Sequence, residues 1–173
     1  MSELGKAALG IAKSIQDEVP RRGTPPDEGL AAASQQVVPL SVVRNTRGYI
    51  EKVANQINGC YEQGWFDACA VMIRRLIETL IIETFEHHNI AHKAQDANGD
   101  FLPLKDLIDL ALSEQSWNLG RSTKKGLPKL KSIGDLSAHS RRYTAQRHDV
   151  DQLIGDLRVV VQELVYLAVL QPI

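Results

Sequence analysis

The chain has 173 residues, of which 43% are hydrophobic and 24% charged, with a formal net charge of −1. This composition is typical of one soluble globular domain and argues against a protein that binds polyanions over its whole surface. No run approaches the roughly 18–20 apolar residues of a membrane span, the first residues lack the features of a signal peptide, and the two cysteines show no zinc-binding spacing. We therefore expect a cytoplasmic protein with no membrane partner, no metal and no cofactor.

Residues 1–39 are predicted to form an N-terminal extension. Apolar residues at helical spacing predict a short amphipathic helix within residues 3–17; they are Leu4, Ala8, Ile11 and Ile15. Three prolines and two glycines between Val19 and Gly29 exclude a continuing helix. We expect this extension to pack on a partner or to be mobile, and residues 40–173 to form the main domain.

The main domain shows helical periodicity almost throughout. A first long helix is predicted from Ser41 to about Tyr61 and a second from Phe66 to Thr84, with a third beginning at Pro103. Residues 113–127 are expected to be irregular, because Gly120, Gly126 and Pro128 interrupt the pattern, and residues 130–139 to form a short element. A last helix is predicted from about Asp149. The fold class is therefore all-α, an antiparallel bundle of about four main helices.

Charge is distributed unevenly along this domain. The segment from Leu119 to His148, called here the basic segment, holds eight Lys and Arg residues and one acid, Asp135, so its net charge is +7 while the rest of the chain carries −8. Such a segment indicates a local anion-binding site rather than general attraction to polyanions.

The junction around His139 holds the residue types that metal-independent RNA cleavage needs. The guanidinium groups of Arg141 and Arg142 can hold phosphates bidentately, and the imidazole of His139 or His148 can exchange a proton with a ribose hydroxyl. The alternative is structural: Asp135 and His139 close the junction by hydrogen bonds, while the arginines are solvated or pair with acids of the last helix.

Two other groups are weighed in the same way. Arg74 and Glu78 are spaced for a surface ion pair, and Arg75 has a functional role only if it points toward the basic segment. A polar helix end explains three histidines better than a metal site does, because no glutamate occupies the metalloprotease position between them; they are His87, His88 and His92. The apolar end of the last helix suggests a surface that is buried against another molecule.

Two motifs carry a family resemblance. Residues 64–78 include an Arg-Arg-x-x-Glu sequence on the second helix, and residues 131–139 read Lys-x-x-Gly-Asp-x-x-Ala-His. In this order they resemble a family of HEPN-like prokaryotic domains (higher eukaryotes and prokaryotes nucleotide-binding), and the resemblance covers roughly residues 44–170. It implies an all-helical, usually dimeric protein of a prokaryotic defence or toxin–antitoxin system.

The resemblance also implies where a site would lie. Active HEPN members are metal-independent ribonucleases with an Arg-x4–6-His motif, and two protomers contribute to one site. Here His139 matches the family histidine, but Lys131 stands at the basic position with seven residues between them, while Arg142-x5-His148 has the nuclease spacing. Lys lacks the planar fork of Arg.

Two functions remain open from the sequence. The favoured one is a non-catalytic dimerisation and interaction module that binds a partner protein, a nucleotide or RNA. The alternative is a metal-independent ribonuclease with His139 as acid or base and Arg141 or Arg142 on the phosphate. The candidate anion-binding residues are Lys131, Asp135, Arg141, Arg142, Arg75 and Glu78, and the candidate catalytic residues of the ribonuclease are His139, Arg142 and His148.

Overall fold

The protein is described by a computed structural model that covers residues 36–170. Seven α-helices account for most of this range: α1 (Leu40–Val43), α2 (Gly48–Glu62), α3 (Phe66–His87), α4 (Leu104–Ser113), α5 (Arg121–His139), α6 (Arg147–Asp151) and α7 (Ile154–Leu167). Between residues 36 and 170 there is no strand, only an isolated bridge between Gln95 and Phe101. The all-α prediction is confirmed. The helix predicted within residues 3–17 lies outside the described residues.

Helix α3 is the centre of the bundle, because it packs against α2, α4, α5 and α7. The apolar residues on its core side are completely buried along almost four turns, from Cys69 and Ala70 to Ile81. Both ends are set by left-handed residues: Gly64 (φ +77°) separates α2 from α3, and Asn89 (φ +58°) follows the last turn of α3. Left-handed Gly and Asn commonly end helices. The predicted start at Phe66 is confirmed, whereas the helix continues beyond the predicted Thr84 to His87.

The first predicted helix is divided in the structure. Residues 40–43 form the single turn α1, and α2 begins only at Gly48. Asn45 lies between them in the left-handed region (φ +63°), and its backbone amide donates to Glu51 Oε1 at 2.6 Å. A hydrogen bond of this kind to a carboxylate offers the backbone an alternative to the helical ladder. The apolar spacing alone could not show this break.

In the region of α5 the prediction was wrong over a longer stretch of the chain. It runs continuously from Arg121 through Gly126 and Pro128 to His139, where the sequence predicted an irregular segment and a short element. The loss of one backbone hydrogen bond at proline is offset by burial of the apolar side of the helix, since Leu127 and Leu130 are completely buried and Ile133 nearly so. Tertiary packing therefore overrides the local signals.

The last predicted helix is present in two parts. Asp149 does not begin α7 but lies in the first turn of α6, where its carboxylate accepts from the backbone amide of Gln146 at 2.8 Å in a capping box. Helix α7 follows after residues 152 and 153. Its C-terminal end is less exposed than the sequence suggested, because Val165 is buried and Leu167 and Leu170 pack partly on the core.

The packed domain begins earlier in the chain than the predicted boundary after residue 39. Val37 and Val38, which the sequence assigns to the extension, are completely buried in the core. The side chain of Asn58 on α2 holds Val38 by two hydrogen bonds of 2.9 Å: the backbone amide of Val38 donates to Asn58 Oδ1, and Asn58 Nδ2 donates to the carbonyl of Val38. The guanidinium of Arg158 on α7 donates to the carbonyls of Gln36 and Val37. The packed domain therefore begins before residue 39.

None of the helices within residues 36–170 is long and apolar enough to cross a membrane.

Candidate functional site

The two family-like motifs meet at the contact between α3 and α5. Arg74 on α3 donates from Nε to Asp135 Oδ1 on α5 at 2.8 Å, and its Nη1 lies 3.5 Å from Glu78 Oε2. The second oxygen of Asp135 accepts from Lys131 Nζ. All four side chains are between 24% and 30% exposed, so the network lies at the edge of the core. Two cations and two carboxylates neutralise one another there.

Gly134 makes this contact possible. A Cβ at this position would lie 2.5 Å from Arg74 Cβ and 3.1 Å from the carbonyl oxygen of Ala70. The first distance is shorter than real Cβ contacts and the second is tight, so α5 approaches α3 this closely only with glycine. The Gly-Asp pair of the second motif therefore has two linked effects: glycine permits close packing, and the next carboxylate binds Arg74.

The carboxyl of Asp135 responds to this environment. Its partial burial disfavours the charged form, but the hydrogen bonds from Lys131 and Arg74 and their positive charges outweigh that cost, and the pKa of Asp135 is lowered. The carboxylate is thus held ionised by its two partners. A carboxylate in this state serves as a structural anion and has little tendency to act as an acid.

The structure selects Arg74, not Arg75, as the arginine that reaches the basic segment. Arg75 is exposed, and no acidic side chain of residues 36–170 lies within ion-pair distance of it. The core pattern of α3 contained the signal. Arg74 follows buried Ala70 by four positions and precedes buried Ile77 by three, which places it beside the core face.

The other cations of the basic segment divide into two groups. On α5, positions that repeat at helical spacing put four cations and His139 on the solvent side of the helix, called here the basic face; the cations are Arg121, Lys124, Lys125 and Lys129, whereas Lys131 lies at the edge of the core. Lys129 pairs with Asp156 at 2.7 Å and Lys131 with Asp135. Within residues 36–170, Arg121, Lys124 and Lys125 have no acidic partner; Lys124 Nζ lies 3.5 Å from Asn118 Oδ1.

The predicted catalytic residues are spread along the chain. His139 is the last residue of α5 and is exposed, Arg141 and Arg142 are exposed in the connection to α6, and His148 lies on α6 with its side chain 69% exposed and Nε2 3.1 Å from Asp149 Oδ1. Among the described residues, no hydrogen bond or ion pair joins His139, Arg142 and His148 to one another.

A groove between α4 and α5 runs beside the basic face. It has a volume of about 610 Å³, and His139 is among its lining residues. The lining combines apolar side chains with charges of both signs; it includes Lys105, Ile108, Asp109, Leu136 and Asp135. The groove is therefore not an anion site by itself.

One cation of the basic segment has a partner that the sequence did not reveal. The guanidinium of Arg147 lies over the rings of Tyr61 and Phe66, 4.9 and 5.6 Å from their centres, and donates to the Tyr61 hydroxyl. That hydroxyl in turn donates to Asp151. The hydrogen bond to Asp151, burial and the negative charge raise the pKa of Tyr61. These contacts join residues 86 and 90 positions apart, so no local pattern could predict them.

The three histidines at the end of α3 and just beyond it, His87, His88 and His92, are not arranged as a metal site. His87 and His88 lie edge to face with ring centres 5.3 Å apart, and His88 packs against Trp117 at 5.0 Å. Over residues 36–170, no three His, Cys, Asp or Glu side chains come together in a way that could hold a metal ion.

The two cysteines are buried, and burial, together with the neighbouring Cys60, raises the pKa of Cys69 to about 12.

Comparison with protein-family models, with curated proteins and with solved structures finds no match for this chain.

Proposed function

We propose that the chain is a non-catalytic, HEPN-like interaction module that binds single-stranded RNA along the basic face of α5. The observation that carries this proposal is the state of the cations. Arg121, Lys124 and Lys125 project from one side of a helix without acidic partners among residues 36–170, and Arg141 and Arg142 are exposed just beyond its end. Cations in a line along one helix are the electrostatic footprint of a nucleic-acid-binding surface.

The length of α5 suits an extended polyanion better than a small anion. Arg121 and His139 are the first and last residues of α5, and a rise of 1.5 Å per residue separates them by about 27 Å. One phosphate cannot contact both ends, but the backbone of a strand several nucleotides long can. Each lysine or arginine that neutralises a phosphate releases a counterion, and this gain gives affinity without base contacts.

The non-catalytic part of the proposal depends on Lys131 and His139. Lys131, at the basic position of the second motif, already binds Asp135, which Arg74 also holds. Lys131 also lacks the planar fork with which Arg holds a phosphate bidentately. A ribonuclease needs the guanidinium and the imidazole at one phosphate, whereas a binding surface needs only accessible charge.

The test is binding of a fluorescently labelled single-stranded RNA to the full chain in EDTA, followed by anisotropy at several salt concentrations. The double variant Lys124→Gln/Lys125→Gln removes two unpaired cations of the basic face. We expect weaker binding and a log–log salt dependence shallower by about 1.4, because each lost phosphate contact contributes about 0.7 on a single strand. The control, Arg44→Gln/Lys52→Gln, removes two exposed cations outside the basic segment.

The control should retain wild-type affinity and salt dependence. Equal weakening in both variants would show attraction without a defined surface, and wild-type affinity in Lys124→Gln/Lys125→Gln would overturn the assignment to α5. The same mixtures test the ribonuclease alternative, because His139 is exposed and lines the groove between α4 and α5. We expect intact RNA. Cleavage in EDTA that His139→Ala abolishes would establish the enzyme instead.

The homodimer and the prokaryotic defence or toxin–antitoxin context rest on the family resemblance alone. Sedimentation of the full chain over a wide concentration range tests the dimer, and a monomer at all concentrations would remove it from the proposal. Binding of a single strand along one α5 helix does not require a second protomer, so the RNA-binding result stands independently of that outcome.

A further inference from the structure

The two tryptophans of the chain have different surroundings. Trp117 packs on the core: its ring lies edge to face with that of Phe85, with centres 5.1 Å apart, and its Nε1 donates to the carbonyl of Ala111 at 3.0 Å. Trp65, which directly precedes α3, is 41% exposed, and its indole has neither an aromatic neighbour nor a hydrogen bond within residues 36–170. Tryptophan is highly buried on average. Trp65 therefore offers a free aromatic ring to a ligand.

We propose that a base of the single-stranded RNA bound by α5 stacks on the indole of Trp65. This inference rests on the proposed function and adds a base contact to a surface that otherwise holds the strand by its phosphates. Proteins that bind single strands without sequence preference combine cations along the backbone with aromatic rings on which bases stack. Every base has a flat face, so a single exposed ring beside the path of the strand is sufficient.

The connection from α5 to α6 leads from the basic face toward Trp65. The Ser140 hydroxyl, just after α5, accepts from the backbone amide of Arg142 at 3.4 Å, which turns the chain at this point. The backbone amide of Ala145 then donates to Asp67 Oδ1 at 2.9 Å, and Asp67 lies in the first turn of α3, two positions after Trp65. Arg142 and Ala145 are three positions apart, at most about 11 Å. A strand that contacts Arg142 therefore needs only a few more nucleotides to reach Trp65.

The backbone of Trp65 is fixed at the start of α3. Its amide donates to the carbonyl of Cys60 at 2.8 Å, and its carbonyl accepts from the amide of Cys69 at 2.9 Å. The ring of the next residue, Phe66, lies 5.6 Å from the guanidinium of Arg147, so a further cation of the basic segment is held at the same end of α3. A ring on a fixed backbone loses less conformational freedom on binding than one on a mobile loop does, and this favours stacking.

Anisotropy with two labelled strands of equal length, an oligouridylate and an abasic ribose-phosphate strand, measures the contribution of the ring in the full chain. Trp65→Leu keeps an apolar side chain but removes the aromatic face. We expect its affinity for oligouridylate to fall at least about fivefold, with an unchanged log–log salt dependence, because no phosphate contact is lost. The abasic strand should bind the wild-type chain and Trp65→Leu equally.

Two further variants separate stacking from a general effect on the fold. Trp65→Phe keeps an aromatic ring and should retain most of the affinity for oligouridylate. Phe101→Leu removes another exposed aromatic ring, 36% exposed, from the segment before α4; it should leave the affinity for both strands unchanged. If Trp65→Leu bound the two strands with equally reduced affinity, or if Trp65→Phe were as weak as Trp65→Leu, the stacking contact would be wrong.

Intrinsic fluorescence with unlabelled oligouridylate reads the contact directly. Binding should quench the emission of the wild-type chain with the midpoint of the anisotropy titration, because a base then covers the indole of Trp65. In Trp65→Phe only Trp117 emits, and its emission should not change. Binding without quenching in the wild-type chain would overturn the stacking contact and leave RNA binding on α5 in place. Absence of binding to either strand would overturn both proposals.

Discussion

The inner edge and the outer side of α5 use the same residue types in opposite ways. At the contact with α3, the charges of Arg74 and Lys131 are balanced by Asp135 and Glu78. On the outer side, Lys124 and Lys125 face solvent with no acidic partner among residues 36–170. A net charge of +7 in the sequence therefore combines cations that hold the fold with cations that are available to a ligand.

The most disruptive test of this comparison is Gly134→Ala at the inner contact. The added Cβ would meet Arg74 Cβ at 2.5 Å and force α3 and α5 apart. We expect a net loss of about 2–3 kcal/mol in the free energy of unfolding, since overpacking outweighs the better helix propensity of alanine. Urea denaturation measures it.

Gly155→Ala is the matched control for that experiment. Gly155 also lies in a helix, but a Cβ there meets nothing within 4 Å. We expect an unchanged or slightly higher free energy of unfolding, by up to about 1 kcal/mol. If Gly134→Ala were as stable as Gly155→Ala, the close approach of α3 and α5 at this point would be wrong.

The neighbours Arg74 and Arg75 allow the second comparison. Arg74→Ala removes a guanidinium that contacts two carboxylates at the edge of the core, and we expect a loss of about 1–2 kcal/mol in the free energy of unfolding. Arg75→Ala removes an exposed side chain and should change the same quantity by less than about 0.5 kcal/mol. Equal effects would contradict the different placement of the two arginines.

Acid titration gives the third test. Because the pKa of Asp135 is lowered in the folded state, its contribution to stability is present above the unfolded-state value, about 3.9, and is lost as the pH falls through the folded value. The stability difference between the wild-type chain and Asp135→Asn should therefore be largest near neutral pH and shrink in acid. Asp109→Asn, which removes one exposed contact to Lys105, should show a small difference at every pH.

The helical fold could be predicted because the apolar spacing reflects burial directly. Residues 66–84 showed this most clearly, and α3 has more buried residues than any other helix of residues 36–170. The prediction was wrong at Pro128, where the local preference for a break is overridden by burial of Leu127 and Leu130. Whether packing outweighs a proline depends on neighbouring helices, and a single sequence does not contain that information.

The site could be predicted only in part, for a related reason. The sequence placed Lys131, Asp135 and His139 on one element, and they lie four positions apart along α5. It treated Arg74 as a surface residue, although Arg74 is the side chain that links Asp135 to α3. Residues 74 and 135 are 61 positions apart, and their contact depends on Gly134, whose role is visible only once both helices are placed.

The smallest expected effect concerns the connection between α5 and α6. Arg141 and Arg142 are exposed and have no acidic partner among the described residues, so Arg141→Gln/Arg142→Gln should leave the free energy of unfolding within about 0.5 kcal/mol of wild type. If the basic face of α5 extends into this connection, the same variant should weaken RNA binding and reduce the salt dependence. Lys129→Gln/Lys131→Gln removes two paired cations instead and should lower stability more than RNA affinity. If this variant instead lowered RNA affinity more than stability, pairing with an acidic side chain would not distinguish the structural cations from those that bind RNA.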